Sequence, residues 1–176
     1  MMRINIFGGP CVGKTTLASH LYAKLKARGI NIEHVPDYVK MWAYEGKKIM
    51  PFDQLYFLAK QMRSEMDLLN NGVDVVLTDC PLLLTVCYAT KYGFPDVKAL
   101  ESICAEFDCE HPSINIYLRR DGQDYTQIGR YENEMEAVIM DDIIYGMLQK
   151  NQVEFKVFDH YDYDAILDYI LAELGL

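Results

Sequence analysis

Cysteine pairs, an excess of basic residues and long apolar runs are all missing from this 176-residue chain. Its five cysteines (Cys11, Cys80, Cys87, Cys104, Cys109) are odd in number and contain no CxxC. That pattern reads as free thiols in a reducing compartment and excludes a disulfide framework. Lysine and arginine total 17 against 26 aspartates and glutamates, a formal net charge of -9. The deficit argues against a broad electrostatic grip on nucleic acid, which needs basic surface, while leaving room for a local basic patch. The longest apolar stretch, around "PLLLTVCYA" (81–89), is far short of the roughly 20 residues that span a bilayer. No basic-plus-apolar leader opens the chain, since strand-like residues begin at Arg3, so no secretion signal is expected. His20, His34, His111 and His160 show no ligand spacing with the cysteines or each other, so zinc is not expected. Repeats, linkers and low-complexity segments are absent too. The expectation is one cytoplasmic, soluble domain over residues 1–176, without a membrane partner and with its oligomeric state open.

What is present is a regular alternation. "RINIF" (3–7) reads as a buried strand, and "KTTLASHLYAKLKARG" (14–29) as a helix with Leu17, Leu21 and Leu25 four residues apart and Gly29 as its stop. A second strand, "INIEHV" (30–35), ends at Pro36, and two helical pieces follow over about 37–46 and 52–72. "VDVVLTD" (73–79) is nearly continuous apolar, as suits a central parallel strand covered on both faces. Helices at about 82–92 and 96–107 lead to a strand at 113–118, a polar segment at 119–131 and a helix at about 132–149. The strand "VEFKVF" (153–158) and a helix at 162–174 close the chain. Five strands alternating with helices imply an α/β fold with a mostly parallel sheet and helices on both faces. Ligands of such sheets bind beyond the carboxyl ends of the strands, so polar residues just after each strand matter most.

The first of these sets is "GGPCVGKTT" (8–16), in which Gly8 through Thr15 fits G-x-x-x-x-G-K-[ST] between a strand and a helix. Glycines allow a tight turn whose successive N–H groups converge on phosphate oxygens, and the helix behind points its positive end at them. Gly8, Gly9, Cys11, Val12, Gly13, Lys14, Thr15 and Thr16 are therefore the expected triphosphate cradle. Lys14 would reach the β- and γ-phosphates and the Thr15 hydroxyl would ligate Mg²⁺, making a nucleoside triphosphate, ATP or GTP, and Mg²⁺ the expected cofactors. Asp79, ending the third strand in "TDCP", sits where a carboxylate holds that magnesium; capping of the next helix is the plainer alternative. Its neighbour is Cys80, not the glutamate a hydrolysing motor uses to activate water, and no N-K-x-D marks a guanine-nucleotide switch. Both absences favour group transfer over hydrolysis.

Asp37 follows the second strand and has two readings: a carboxylate that orients or deprotonates an attacking hydroxyl, or a helix N-cap before "YVKMW". In "YLRRDGQDYTQIGRYENE" (117–134), Arg119, Arg120 and Arg130 stand at the two ends of a glycine-containing polar segment. That looks like a lid over 119–131 whose arginines bind phosphate oxygens bidentately and whose closure removes water; an exposed turn with locally paired arginines is the alternative. Of the three, Arg130 is favoured over Arg120 as a phosphate ligand. The stretch 37–63 carries Tyr38, Trp42, Tyr44, Tyr56, Phe57, Gln61 and Arg63 with Lys40, Lys47, Lys48 and Lys60. It reads either as an aromatic wall with an amide for a base edge or as core aromatics beside a solvated basic face. "DHYDYD" (159–164) either borders an adenine or starts a capped helix.

This ordered set resembles the P-loop kinases of nucleosides and nucleotides. It is most similar to the AAA_28-type group, which includes ribosylnicotinamide kinases and many small phage proteins. The P-loop, the aspartate after the second strand, "TDCP" and "LRR…GRYENEMEA" carry the resemblance across nearly the whole chain. It implies a five-stranded parallel sheet in the order 2-3-1-4-5, with acceptor-binding helices at about 37–71. Gly8, Gly13, Lys14 and Thr15 would bind phosphate and magnesium. Asp37 matches the acceptor-side carboxylate, one methylene shorter than the glutamate common there, and Arg119 and Arg130 match lid arginines. The implied reaction is transfer of the γ-phosphoryl of ATP to a nucleoside- or nucleotide-type acceptor, with Tyr38, Trp42, Gln61 and Arg63 as acceptor-binding candidates. Two other readings remain: a kinase of hydroxymethylpyrimidine bases in DNA, and a nucleotide-binding switch with no acceptor.

Overall fold

The computed structural model describes residues 1–122 and 124–176. Its elements run β1 (Met2–Phe7), α1 (Lys14–Ala27), β2 (Ile32–Val35), α2 (Val39–Tyr44), α3 (Asp53–Leu69) and β3 (Val75–Thr78). The second half adds α4 (Leu82–Lys91), α5 (Val97–Glu110), β4 (Ser113–Arg119), α6 (Glu134–Lys150), β5 (Lys156–Asp159) and α7 (Tyr163–Glu173). All five strands are parallel, in the order β2-β3-β1-β4-β5. The expected fold class and strand order both hold.

The period-2 alternation of strands decides what covers each face. Ile4 and Ile6 of β1 point one way with Leu77 and Ile116, onto Leu17, Leu21 and Leu25 of α1 and Ile166 and Ile170 of α7. Phe7, Val76 and Tyr117 point the other way, onto α4, α5 and α6 through Val86, Leu100, Met140 and Ile144. Burying each such leucine or isoleucine contributes about 1.5–3 kcal/mol. Helices on both faces leave only the strand ends open.

The second face of β1 is less apolar than its strand pattern implies. Arg3 is 1% exposed; it pairs with Glu65 at 3.4 Å and with Asp108, donates to the His111 carbonyl, and lies over the Phe107 ring at 4.8 Å. Asn5 donates to Asn115 across the sheet at 2.9 Å. The Arg3 guanidinium and the Asn5 amide nitrogen are tolerated there because each has a partner; the Asn5 Oδ1 has none among the described residues.

One strand is displaced from expectation. β5 covers Lys156–Asp159, not 153–158, because an edge strand has one neighbour and the paired residues of β4 run from Ile116 to Arg119. The residues before it turn instead: the Val153 N–H closes α6 by donating to the Leu148 carbonyl at 3.0 Å.

Candidate nucleotide and acceptor cleft

Between β1 and α1 the chain must turn sharply where backbone approaches backbone. Gly8 takes φ 141° and Gly13 φ 96°, and Cys11 is a non-glycine residue at φ 65°. Gly9 is required for room: a Cβ there would lie 2.1 Å from Asp141 Oδ1 and 3.0 Å from the Ala137 carbonyl. The Gly9 N–H donates to Asp141 Oδ1 at 2.9 Å, and Arg120 completes the buttress, bonding Asp141 Oδ2 and the Pro10 carbonyl, each at 2.6 Å. Thus α6 and the end of β4 clamp the loop from behind. Arg120 supports the loop, and Asp141, which the sequence analysis passed over, is its anchor. Nothing local marks that aspartate, since "MDDII" is an ordinary amphipathic run.

Lys14 donates to the Gly8 and Gly9 carbonyls at 2.8 Å each. An ammonium has three donors, so one remains for an anion above the loop. Burial lowers its pKa, opposed by the charges of Asp37, Asp79, Cys80 and Asp141. Thr15 Oγ1 donates to Asp79 Oδ2 at 2.6 Å, which brings the P-loop hydroxyl and the strand-ending carboxylate together as expected. Burial pushes the Asp79 carboxyl up, but bonds from His34 and Thr15 and the charges of His34 and Lys14 outweigh it and leave it below its ordinary value. Asp79 is therefore an anion at neutral pH. A hydroxyl and a carboxylate at hydrogen-bond distance are hard oxygen donors of the kind Mg²⁺ takes with water and phosphate completing its shell, so the residues present fit that ion.

Asp37 is engaged at the start of α2 and also borders the cleft. Its Oδ1 accepts from the Val39 N–H at 2.8 Å, and the carboxylate also lines the cleft. Its own N–H donates to Asp79 Oδ1 at 3.1 Å. Burial raises its pKa, moderated by the Val39 bond, and the Asp79 charge raises it further. The Cys80 thiol, also in the cleft, is driven well above its ordinary value by burial and by Asp37 and Asp79, so it stays protonated and is no base.

From the loop the cleft, about 1050 Å³ counting its open mouth, extends toward α2, α3 and α4. Its far wall is Lys40 and Ala43 of α2, Gln54 and Phe57 of α3, Thr85 and Tyr88 of α4, and Tyr92 just beyond α4. The segment following β4 adds Gly129, Arg130, Tyr131 and Glu132 to the lining. Three contacts hold it there. Lys91 Nζ pairs with Glu132 at 2.7 Å, the Tyr131 hydroxyl donates to the Lys47 carbonyl at 2.7 Å, and Gly129 lies so close to Tyr44 that a Cβ would meet its ring at 2.5 Å. Arg130 is braced within its own turn by the Thr126 and Ile128 carbonyls. Of the segment 119–131 expected to form a lid, Gln123 lies outside the described residues.

Arg130 is thus at the cleft, whereas Arg119 is not among its lining residues. Arg119 pairs with Asp159 at 2.6 Å on an exposed rim, because β4 and β5 end side by side. The acceptor candidates sort similarly. Tyr38 and Trp42 lie one layer out: Trp42 packs edge-on to Phe57 at 4.8 Å, so it backs a ring that faces the cleft. Gln61 is deeper along α3, donating to Glu65 Oε1 and Thr78 Oγ1 at 2.9 Å each. Arg63 is on the solvent side, paired with Asp67 one turn on. The residue missed was Gln54, on the same face as Gln61 and two turns nearer the rim. The turn after β5 borders the loop, with His160 Cβ near the position a Gly13 side chain would take, and Asp162 makes no side-chain cap to α7.

A parallel sheet, a phosphate-type loop at the end of β1 and an Asp–Thr pair beside it define a P-loop nucleotide-binding protein. The AAA_28 family, an AAA domain, matches residues 3–164, and the chain belongs to that family. No curated protein matches it significantly. Among solved structures it is similar to NadR protein in complex with NR, with TM-score 0.77 and 16% identity over 99% of this chain and 52% of that one. It is likewise similar to NadR protein in complex with NAD and AMP-PNP, with TM-score 0.76 and 16% identity over 99% and 50% of the two chains. The chain spans about half the length of these structures, and at such identity the likeness is one of fold. Among the described residues no helix is long and apolar enough to cross a membrane.

Proposed function

We propose that this chain is an ATP-dependent phosphotransferase acting on a hydroxyl of a nucleoside- or nucleotide-type acceptor. One observation carries the reading: a single cleft runs from Lys14 and Thr15, past Asp37, to an aromatic wall beneath Arg130. A nucleotide switch has no need of a second chamber. The fold it shares with NadR, a protein whose structures hold NR, NAD and AMP-PNP, supports the same reading. Helices over about 37–71 would receive the acceptor, and the segment 119–131 would act as its lid.

In this mechanism the loop N–H groups and α1 hold the triphosphate, and Mg²⁺ bound at Thr15 and Asp79 would neutralise charge on its oxygens. Asp37 orients the acceptor hydroxyl and takes its proton as the new O–P bond forms. The γ-phosphorus to bridging-oxygen bond breaks, and ADP leaves. Lys14 and Arg130 stabilise charge on the phosphoryl oxygens in flight. The closed segment excludes water, which favours transfer over hydrolysis.

An acceptor base within DNA has one specific support. Tyr38, Trp42 and Tyr56 form an aromatic cluster beside the cleft, with Lys47 and Lys60 over the Trp42 and Tyr38 rings at 5.1 and 4.2 Å. Such pairings of ring and cation suit single-stranded nucleic acid.

The test is γ-phosphate label transfer from Mg·ATP to deoxynucleosides, nucleoside monophosphates, nicotinamide riboside, and DNA with and without hydroxymethylpyrimidines. Label on one acceptor is the expected result. Free phosphate as the sole labelled product would leave a switch instead. Asp37→Asn is expected to reduce transfer more than it weakens ATP binding; equal activity would remove the proton-accepting role.

A further inference from the structure

Strand β2 carries a histidine near its carboxyl end that meets the cleft only through another residue. In the parallel register His34 lies beside Leu77 of β3, and Ile32 and Leu77 both pack onto the α1 side of the sheet. The two-residue period of strands keeps His34 on that side and carries it on to Asp79, just past β3. There His34 Nε2 lies 3.3 Å from Asp79 Oδ1, with the histidine side chain 18% and the aspartate side chain 1% exposed. His34 itself is not among the residues that line the cleft.

Three places in the chain thus hold one carboxylate. Asp79 Oδ1 faces the His34 ring and accepts from the Asp37 N–H at 3.1 Å, and Oδ2 accepts from Thr15 at 2.6 Å. An anionic carboxylate only accepts, so the ring nitrogen facing it is the donor and His34 carries its proton on Nε2. The Thr15 bond alone would leave the carboxylate free to turn about its Cβ–Cγ bond. With Oδ1 held from β2, that turn breaks every bond at once. A valine or isoleucine would suit an edge strand better on propensity alone. A ring donor there is explained by the carboxylate it aims.

We propose that His34 is a positioning residue: it fixes Asp79 so that Oδ2 and the Thr15 hydroxyl offer a preset pair of oxygens to the divalent cation of a bound triphosphate. The inference rests on the Mg²⁺ site of the phosphotransfer reading above and not on the identity of the acceptor. Because the same Oδ1 also anchors the Asp37 N–H, His34 steadies the turn that carries Asp37. Groups that orient a metal ligand from behind typically change metal affinity about 10- to 100-fold when removed.

The experiment is calorimetric titration of the full chain with AMP-PNP, once in EDTA and once in saturating Mn²⁺, which takes the same oxygen ligands. The ratio of the two affinities isolates what the metal adds. The intact protein is expected to bind more tightly with Mn²⁺. His34→Leu is expected to cut that gain about 10- to 100-fold while affinity in EDTA holds. His34→Gln, whose amide N–H reaches about as far as the ring nitrogen, is expected to restore most of it. Should His34→Leu unfold, His34→Asn replaces it: its amide is too short to reach Oδ1, and the same loss is expected. A merely structural histidine would lower the melting midpoint and leave the ratio alone. An unchanged ratio in the folded variant, an equal loss in His34→Gln, or no gain from Mn²⁺ in the intact protein would each overturn the assignment. Label transfer on the same samples separates the two readings. A His34-dependent ratio with no transfer by the intact protein sinks the kinase and keeps the positioning role; transfer with a His34-independent ratio does the reverse.

Discussion

The two ends of the cleft are built on different principles. The proposed phosphate end is one unbroken stretch of chain, residues 8–16, and would work through backbone N–H groups, a helix terminus and one lysine. The proposed acceptor end is assembled from side chains of α2, α3 and α4 and the segment after β4, stretches well separated in sequence. A site made of backbone needs particular residues at particular spacings, because only glycine permits the turn and the close approach to Asp141. A site made of side chains needs only a suitable helical phase, and many sequences supply that. The first kind tolerates almost no substitution, and the second can change its ligand by small exchanges on a fixed scaffold.

The largest effect should come from breaking the phosphate end. Lys14→Ala removes the one loop cation while leaving the packing of α1 intact, and is expected to reduce label transfer on the order of 10³-fold with an unchanged melting midpoint. Next comes the buttress behind the loop. Asp141→Ala strips the Gly9 N–H of its acceptor and Arg120, 16% exposed, of its carboxylate. The expected cost is about 2–4 kcal/mol in a denaturant titration, with KM rising for ATP and holding for the acceptor. A matched rise in both KM values would show that the two ends are not separable.

That separation also marks how far the sequence could be read. Strand order and the loop follow from patterns with strict physical demands: near-continuous apolar strands, alternating helices, glycines ahead of Lys14. Asp37 and Asp79 stand out in the sequence because the carboxyl end of a parallel strand is where polar residues meet ligands, and both line the cleft. Arg119 and Arg130 shared a segment in the sequence, yet β4 and β5 ending together gave Arg119 to Asp159. Gln61 and Gln54 share a helical face, and sequence periodicity cannot say how far α3 projects past the sheet rim. Trp42 was placed in the right neighbourhood and one layer too far forward. Asp141 had no signal, because its partners are a backbone N–H and an arginine more than 20 residues away in sequence.

At the acceptor end the comparison sharpens into two smaller effects. Gln61→Leu should leave acceptor and ATP KM unchanged yet cost about 1–3 kcal/mol, because Thr78 and the buried Glu65 each lose a donor. Glu65 is already strained toward its neutral form by burial, with Gln61 and Arg3 opposing that, so the loss falls on a carboxylate with few substitutes. An altered acceptor KM would place Gln61 back in the site.

The smallest effect belongs to Arg63, one of the four acceptor-binding candidates of the sequence analysis. Its side chain is 78% exposed and paired with Asp67 one turn along α3. Exposed pairs of that spacing contribute about 0.3–0.5 kcal/mol. Arg63→Ala should therefore shift stability by no more than about 0.5 kcal/mol and leave label transfer to small acceptors untouched. Arg63 nonetheless belongs to the basic stretch that includes Lys47 and Lys60, the lysines lying over aromatic rings beside the cleft. If the acceptor base is part of a strand, backbone phosphates would meet this stretch, and the variant would lower transfer to DNA most at low ionic strength, with a shallower salt dependence than the intact protein, while transfer to a free nucleoside stays constant. An identical response for both acceptors confines the substrate to the cleft itself.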